Sequence, residues 1–264
     1  MSLLDKLFYW YTFIFAKSKL YKINAFLFHL GLRGMGIYNS ENLLISGELT
    51  FLKTYLNRIK SPMILDIGAN EGKYTKTCKK ISPNARIISF EPHPKTFMKL
   101  RRNVKDTDII LINKALSENS GESLLYDYEG NDGSTHASLQ KNVIERVHGK
   151  KSICHNVNVT TIDTIIKEFN IVRIDLLKID VEGNEISVLK GANESLKNNI
   201  IEAIQFEFTQ INSTSRIFMK EFFDLLNDKY ILHRLLPREM LSLNEYDPTM
   251  HEIFGYQNIV ALKR

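Results

Sequence analysis

The chain is poor in cysteine, in long uncharged runs and, beyond its first 60 residues, in net charge. Its two cysteines, Cys78 and Cys154, have neither metal-ligand spacing nor a neighbouring partner, which excludes a disulfide scaffold and a thiolate metal site. They read as buried, reduced thiols of a cytoplasmic protein. The conspicuous apolar run Leu7–Ala16 stops after ten residues at Lys17, short of the roughly 20 that span a bilayer. No small-residue cleavage site follows it, so it is not read as a signal peptide. Residues 1–60 hold 8 Lys/Arg against 3 Asp/Glu, and 8 − 3 accounts for the whole net charge of +5, since the rest of the chain balances at 27 against 27. A neutral main body lacks the basic stripe of a nucleic-acid footprint, and no nucleic-acid partner is expected.

What is present is an ordinary globular composition, 44% hydrophobic and 25% charged, organised around Ile64–Gly72, ILDIGANEG. Met63, Ile64, Leu65 and Ile67 form a short apolar run of the kind central parallel strands carry. Gly68 and Gly72 bracket a turn, and a helix is expected from Gly72 to Lys80. A second apolar strand, Arg86–Phe90, leads to Glu91, 23 residues beyond Gly68. In dinucleotide-binding folds an acid about 20 residues past the first glycine holds ribose hydroxyls, and Glu91 fits that role. The pyrophosphate-binding pattern, however, needs a glycine where Asn70 stands. Asp66 ahead of the turn and Asn70 within it suit a nucleoside ligand without phosphates, and S-adenosylmethionine is such a ligand.

Five segments extend this reading: DIGANEG (66–72), FEPHP (90–94), NKALS (113–117), VTTID (159–163) and LLKIDVEGNEISVLKGA (176–192). Together they resemble the FkbM family of S-adenosylmethionine-dependent methyltransferases over roughly residues 62–264, the last segment being the most specific. The resemblance implies an α/β fold of the class I methyltransferase type, a Rossmann-like, seven-stranded, mostly parallel sheet with helices on both faces, and O-methylation. It places the cofactor on Asp66, Gly68, Asn70, Gly72, Glu91, Pro92 and Ala115.

The residue pattern itself alternates. Strands are expected at 63–67, 86–91, 109–113, 176–181 and 203–208, with helices at 72–80, 94–104, 185–196 and 215–227, an order that predicts a parallel sheet with right-handed crossovers. Residues 231–235 and 258–262 close the sheet, antiparallel to each other. The insert between residues 113 and 176 reads as a small hairpin (122–128 and 156–160) with a glycine-rich loop, Gly130–His136, over the cofactor. Residues 1–61 read as a helical extension whose last helix packs on the sheet, and residues 62–264 as the methyltransferase domain.

Ligands of open parallel sheets bind beyond the carboxyl ends of the strands. That rule selects Asp180, Glu182 and Glu207 as catalytic candidates, joined by His136 from the loop. Methyl transfer to an alcohol needs in-line alignment and a base for the hydroxyl proton. Asp180 serves equally as that base or as the cap of the next helix, and Glu182 reaches the site with it only if the strand ends between them. Lys178, mid-strand, reads as structural, and His136 reads first as a plain solvent-exposed loop histidine and only second as a catalytic one. A secondary reading gives Asp180, Glu182 and Glu207 a divalent metal ion that acidifies the hydroxyl. No residue is assigned to zinc, because His93, His155, His233 and His251 lack paired spacing.

The expected acceptor is a hydroxyl of a glycan or glycan-linked intermediate. A small molecule of a secondary-metabolite pathway is the alternative, and a catalytically silent scaffold the third reading. In residues 1–36 aromatic residues crowd beside Lys6, Lys17, Lys19 and Lys22, so this segment is expected to meet either the inner face of a membrane or a protein.

Overall fold

The computed structural model describes residues 2–264. Three helices open the chain: α1 (Leu3–Phe15), α2 (Tyr21–Gly34) and α3 (Glu48–Leu56). Strand and helix then alternate through β1 (Met63–Ile67), α4 (Lys73–Ile81), β2 (Arg86–Phe90), α5 (Pro94–Asn103) and β3 (Ile109–Ile112). The insert supplies β4 (Ala115–Leu116), β5 (Gly121–Tyr128) and β6 (Ser152–Thr160). Alternation resumes with α6 (Ile162–Glu168), β7 (Leu176–Ile179), α7 (Glu185–Lys190), α8 (Asn193–Lys197), β8 (Ala203–Phe208), α9 (Gln210–Ser215) and α10 (Met219–Leu226). The chain closes with β9 (Tyr230–Leu235), β10 (Met240–Leu243), α11 (Pro248–His251) and β11 (Gln257–Lys263).

The main sheet has the order β10-β9-β11-β8-β7-β1-β2-β3. Strands β3, β2, β1, β7 and β8 run parallel, and β11 runs antiparallel between β8 and β9. All seven expected strands are therefore present, with an eighth, β10, added antiparallel at the edge. With four residues, Met-Leu-Ser-Leu, it is at the lower limit of length at which a run can be recognised as a strand.

Alternate residues of each central strand feed opposite cores, as the period of two dictates. Leu65, Ile67, Phe90, Leu177, Ile179, Ile204 and Phe206 pack under α6, α7, α8 and α10. On the other face Ile64, Ile87, Leu176, Ala203 and Val260 meet Phe51, Leu52 and Leu56 of α3, with Cys78 and Leu100 from α4 and α5. Full burial of Leu52 and Leu56 contributes about 1.5–3 kcal/mol each, which ties α3 firmly to the sheet.

Some boundaries differ from the sequence reading. The helix expected over 185–196 is two, broken at Gly191, where an added Cβ would lie 2.2 Å from the Ser117 carbonyl oxygen. The helix expected over 215–227 is α10, which starts only at Met219, and a separate helix, α9, precedes it and ends before Arg216, which has φ of 56°. Helix α6, capped by Thr161, was not anticipated. Cys78 is buried as expected, but Cys154 is exposed on β6.

Candidate active site

From β1 the chain moves outward through β2 and β3, then returns across β1 to β7 and β8. The switch point thus falls between β1 and β7, the position where open α/β sheets hold ligands. A cleft opens there, with about 580 Å³ of non-atom space that includes the open solvent at its mouth. Gly68, Asn70, Glu91, Pro92 and Ala115 line one part of it, and Asp180, Val181 and Glu182 another. Ser134 and Thr135 of the insert loop cover it.

The glycine turn explains how β1 and β7 close on each other. Gly68 has φ of +80°, and a Cβ on it would lie 1.7 Å from the backbone oxygen of Asp180. Only glycine allows that crossing. Gly68→Ala carries roughly 1–2 kcal/mol of left-handed backbone strain before any clash, and the clash displaces the segment holding Asp180. The variant is expected to melt earlier and to bind cofactor at least about tenfold more weakly, the factor that 1.4 kcal/mol represents. Thermal melts and cofactor titration check this, and wild-type values for both would show that the crossing has slack.

Glu91 is almost fully buried beneath the turn. Its carboxylate accepts the Asn70 N–H at 3.0 Å and the His93 N–H at 2.8 Å. The Asn113 side chain donates to the carbonyls of Glu91 and Pro92, fixing this corner. Burial pushes the Glu91 carboxyl up to about 7, against the two amide donors that favour its charge. Two of the expected cofactor residues lie outside the cavity. Asp66 is fully buried behind it, where it accepts the Thr75 hydroxyl at 2.6 Å and leaves Oδ1 unpartnered. Gly72 begins α4, and a Cβ there would strike Val104 and Leu100 of the neighbouring helix and loop.

Strand β7 ends at Ile179, so neither Asp180 nor Glu182 is on a regular strand and both line the cavity. Glu182 has φ of 51°, followed by Gly183 at 96°, a conformation costing a non-glycine residue about 1–3 kcal/mol. Its surroundings hold it there: the Ser138 hydroxyl donates to the Glu182 carbonyl at 2.7 Å and the Gln140 amide to the Gly183 carbonyl at 2.5 Å. The buried Glu185 carboxylate accepts the N–H groups of Val181 and Gly183, each at 3.1 Å. Burial pushes Glu185 up to about 7 as well.

Lys178 is buried and donates to Asp180 at 2.7 Å. Burial alone would lower its pKa, but Asp180 and Asp66 hold it charged, above the ordinary lysine value. Glu207, on β8, meets Asp180 and Glu182 in a smaller recess rather than the main cavity. Burial and the Asp180 carboxylate push its pKa well above the ordinary range. Asp180, Glu182 and Glu207 do not bring three donor atoms together, so the carboxylate metal site considered above is not formed. Among the described residues, three-donor clusters occur instead at His93, Asp132 and His155, and at His136, His148 and Glu182.

His136 stands at the rim between Thr135 and Ala137, both of which line the cavity. Its Nδ1 is 3.0 Å from Glu182 Oε1. The hydrogen bond to Glu182 raises the His136 pKa, and burial opposes it. Beside it lies His148, its ring centroid 5.0 Å away and its Nε2 buried without a partner. Tyr128 packs against both rings. His148 gave no signal in the sequence, since it belongs to no motif and only folding of the insert places it beside His136 and Tyr128.

Residues 66–234 match the sequence profile of the Methyltransferase FkbM domain. The chain belongs to the FkbM methyltransferase family. It is therefore an S-adenosylmethionine-dependent methyltransferase. Among curated relatives of this FkbM protein, methyltransferase sdnD of Sordaria araneosa is 31% identical over 175 residues, 55% of this chain and 68% of its own length. The 2-O-methyltransferase NoeI of Sinorhizobium fredii is 27% identical over 51% of this chain and 59% of its own. Hexuronic acid methyltransferase AglP of Haloferax volcanii is 25% identical over 64% of each. The matched region thus spans about six tenths to two thirds of these relatives.

Proposed function

We propose that this FkbM protein methylates a hydroxyl of a glycan or glycan-linked intermediate, with His136 as the base. The observation that carries the reading is the His136–Glu182 pair at the rim of the cavity. A carboxylate only accepts hydrogen bonds, so the partner assigns the proton to His136 Nδ1 and leaves Nε2 free to accept one. That is the arrangement a general base needs. The neighbouring Tyr128 and His148 form an aromatic, hydrogen-bonding surface suited to a sugar. Two of the relatives bear names that specify 2-O-methylation and hexuronic acid, which supports the same acceptor class.

The residues fit S-adenosylmethionine. Pro92, Leu116 and Leu125 provide apolar walls to the cleft, and Glu91 presents a carboxylate that accepts hydrogen bonds. When bound, the cofactor supplies a methyl group on a positively charged sulfur. Glu91 receives hydroxyl donors, Asn70 and Gly68 bring backbone close, and the insert loop excludes water. His136 takes the proton from the acceptor oxygen, and Glu182 stabilises the imidazolium that forms. Asp180, held by Lys178, positions the segment that carries Glu182.

Because donated hydrogen bonds favour the ionised form of Glu91, cofactor binding is coupled to loss of its proton. With that pKa near 7, affinity is expected to rise as pH increases from 6 to 8, by up to about tenfold per unit on the acid side and then level off. Calorimetry across this range tests the linkage. Glu91→Gln should bind weakly and without the slope, whereas the same slope in that variant would assign it to another group.

Incubation with cofactor and a panel of glycans tests the function, read by mass spectrometry as the gain of one methylene. Methylation only of small-molecule hydroxyls would transfer the reading to the secondary-metabolite alternative, and no turnover on either class would favour a scaffold. For residues 2–34 we propose a seat on an anionic lipid surface, which confines the enzyme to the plane of a lipid-carried acceptor.

A further inference from the structure

His93 follows β2 and His155 lies on β6, yet both Nε2 atoms converge on one oxygen, Asp132 Oδ1, at 2.9 and 2.7 Å. Their ring centroids are 4.7 Å apart. Asp127 Oδ2 lies 3.3 Å from the same His93 nitrogen, and both of these side chains are fully buried. Lys95 approaches the other Asp132 oxygen at 2.5 Å. None of these groups has a part in the methyl-transfer chemistry proposed above.

We infer that this cluster binds one divalent transition-metal ion, zinc by its donor set, through His93 Nε2, His155 Nε2 and the Asp132 carboxylate, and that the ion fastens the insert loop over the cofactor cavity. Zinc takes imidazole and carboxylate donors at about 2.0–2.2 Å, so donors around a tetrahedral ion lie about 3.3–3.5 Å apart. The separations here, 2.7 to 3.3 Å, reach that spacing with an opening of a few tenths of an ångström. Charge agrees as well. The carboxylates of Asp132 and Asp127 offset the divalent charge once Lys95, whose side chain is largely exposed, turns to solvent, and the imidazoles favour zinc over the oxygen-seeking magnesium and calcium.

The placement gives the ion its role. Asp127 accepts the N–H groups of Gly133 and Ser134 and the Ser134 hydroxyl, folding the loop back on itself. Ser134 and Thr135 then cover the cavity. An ion at Asp132 joins that loop to the segment after β2, which also carries Glu91. Its effect is therefore on cofactor retention and loop order, with no contact to the reacting atoms.

The experiment uses full-length protein carrying no polyhistidine tag, stripped with chelator and titrated with Zn²⁺ by calorimetry beside His155→Gln. Glutamine keeps a donor toward Asp132, so the metal-free fold is retained while the imidazole is lost. One zinc per chain is expected, weakened by about 100-fold or more in the variant, since even outer groups of metal sites are worth 10–100-fold. Zinc should raise the melting temperature and the cofactor affinity of the wild type and move neither in the variant. Failure of the wild type to bind zinc at micromolar concentration overturns the inference. Equal binding by both proteins also overturns it, and assigns the ion to His136, His148 and Glu182.

Discussion

His136→Ala is expected to slow methyl transfer by about 10²- to 10⁴-fold, the usual worth of a positioned general base, while cofactor affinity stays nearly unchanged. The separation follows from position: His136 is at the rim and pairs with Glu182, whereas the cofactor residues lie deeper. Glu182→Gln should show a smaller loss, because glutamine holds the ring without stabilising its charged form. The double variant should be little worse than His136→Ala, since the two residues act as one unit. The pH profile supplies the sign. The base works unprotonated, so the rate falls as pH drops through its pKa, and Glu182 raises that pKa. Hence the acid limb of the wild type should lie above the ordinary histidine value of about 6.5, and Glu182→Gln should move it to lower pH. A His136→Ala protein turning over at the wild-type rate would remove His136 from the mechanism and return Asp180 to the base's place.

The contrast between β1 and the insert shows what the sequence could carry. Residues 63–67 and 203–208 were legible to the residue because each is a short, mostly apolar segment, interrupted only by Asp66 in the first and by Gln205 and Glu207 in the second. That Gly68 and Glu91 meet in one cavity was legible too, since they are placed by local backbone geometry and a fixed spacing along two consecutive strands. His93, Asp132 and His155 were not, because donors from three separate segments meet only once the insert folds onto the sheet. Glu182 illustrates a different limit. Its left-handed backbone is imposed by Ser138, Gln140 and Glu185, two of which lie in another part of the chain. Nothing in Val-Glu-Gly announces which of the two residues before the glycine turns toward the histidine.

Full-length protein is expected to sediment with anionic vesicles at low salt, and protein lacking residues 2–30 to remain in solution. Helix α1 has no buried residue, and Leu3, Phe13, Tyr21 and Phe26 are each more than 60% exposed. The hairpin with α2 is held by its own polar bonds, Tyr11 to Asn24 at 2.7 Å and Asn24 to the Phe15 carbonyl at 3.0 Å, so its apolar side chains are left facing outward. With 13 residues, α1 is about 20 Å long, shorter than the roughly 30 Å hydrocarbon layer. No helix among the described residues is long and apolar enough to cross a membrane. Lying in the interface suits these dimensions: rings and leucines enter at the headgroup level and lysines meet anionic lipid. Each lysine near such a surface contributes about 1 kcal/mol, so Lys6, Lys17, Lys19 and Lys22 together represent about a thousandfold in partitioning. Replacing all four by glutamine should release most of the bound protein, as should high salt. The deletion stops at residue 30 because Leu32 and Ile37 are buried and Met35 accepts a bond from Arg234 of β9, so the catalytic fold keeps these contacts. Full-length protein that ignores the vesicles and forms a dimer dissolved by the same deletion would show that a second copy, not lipid, covers the hairpin.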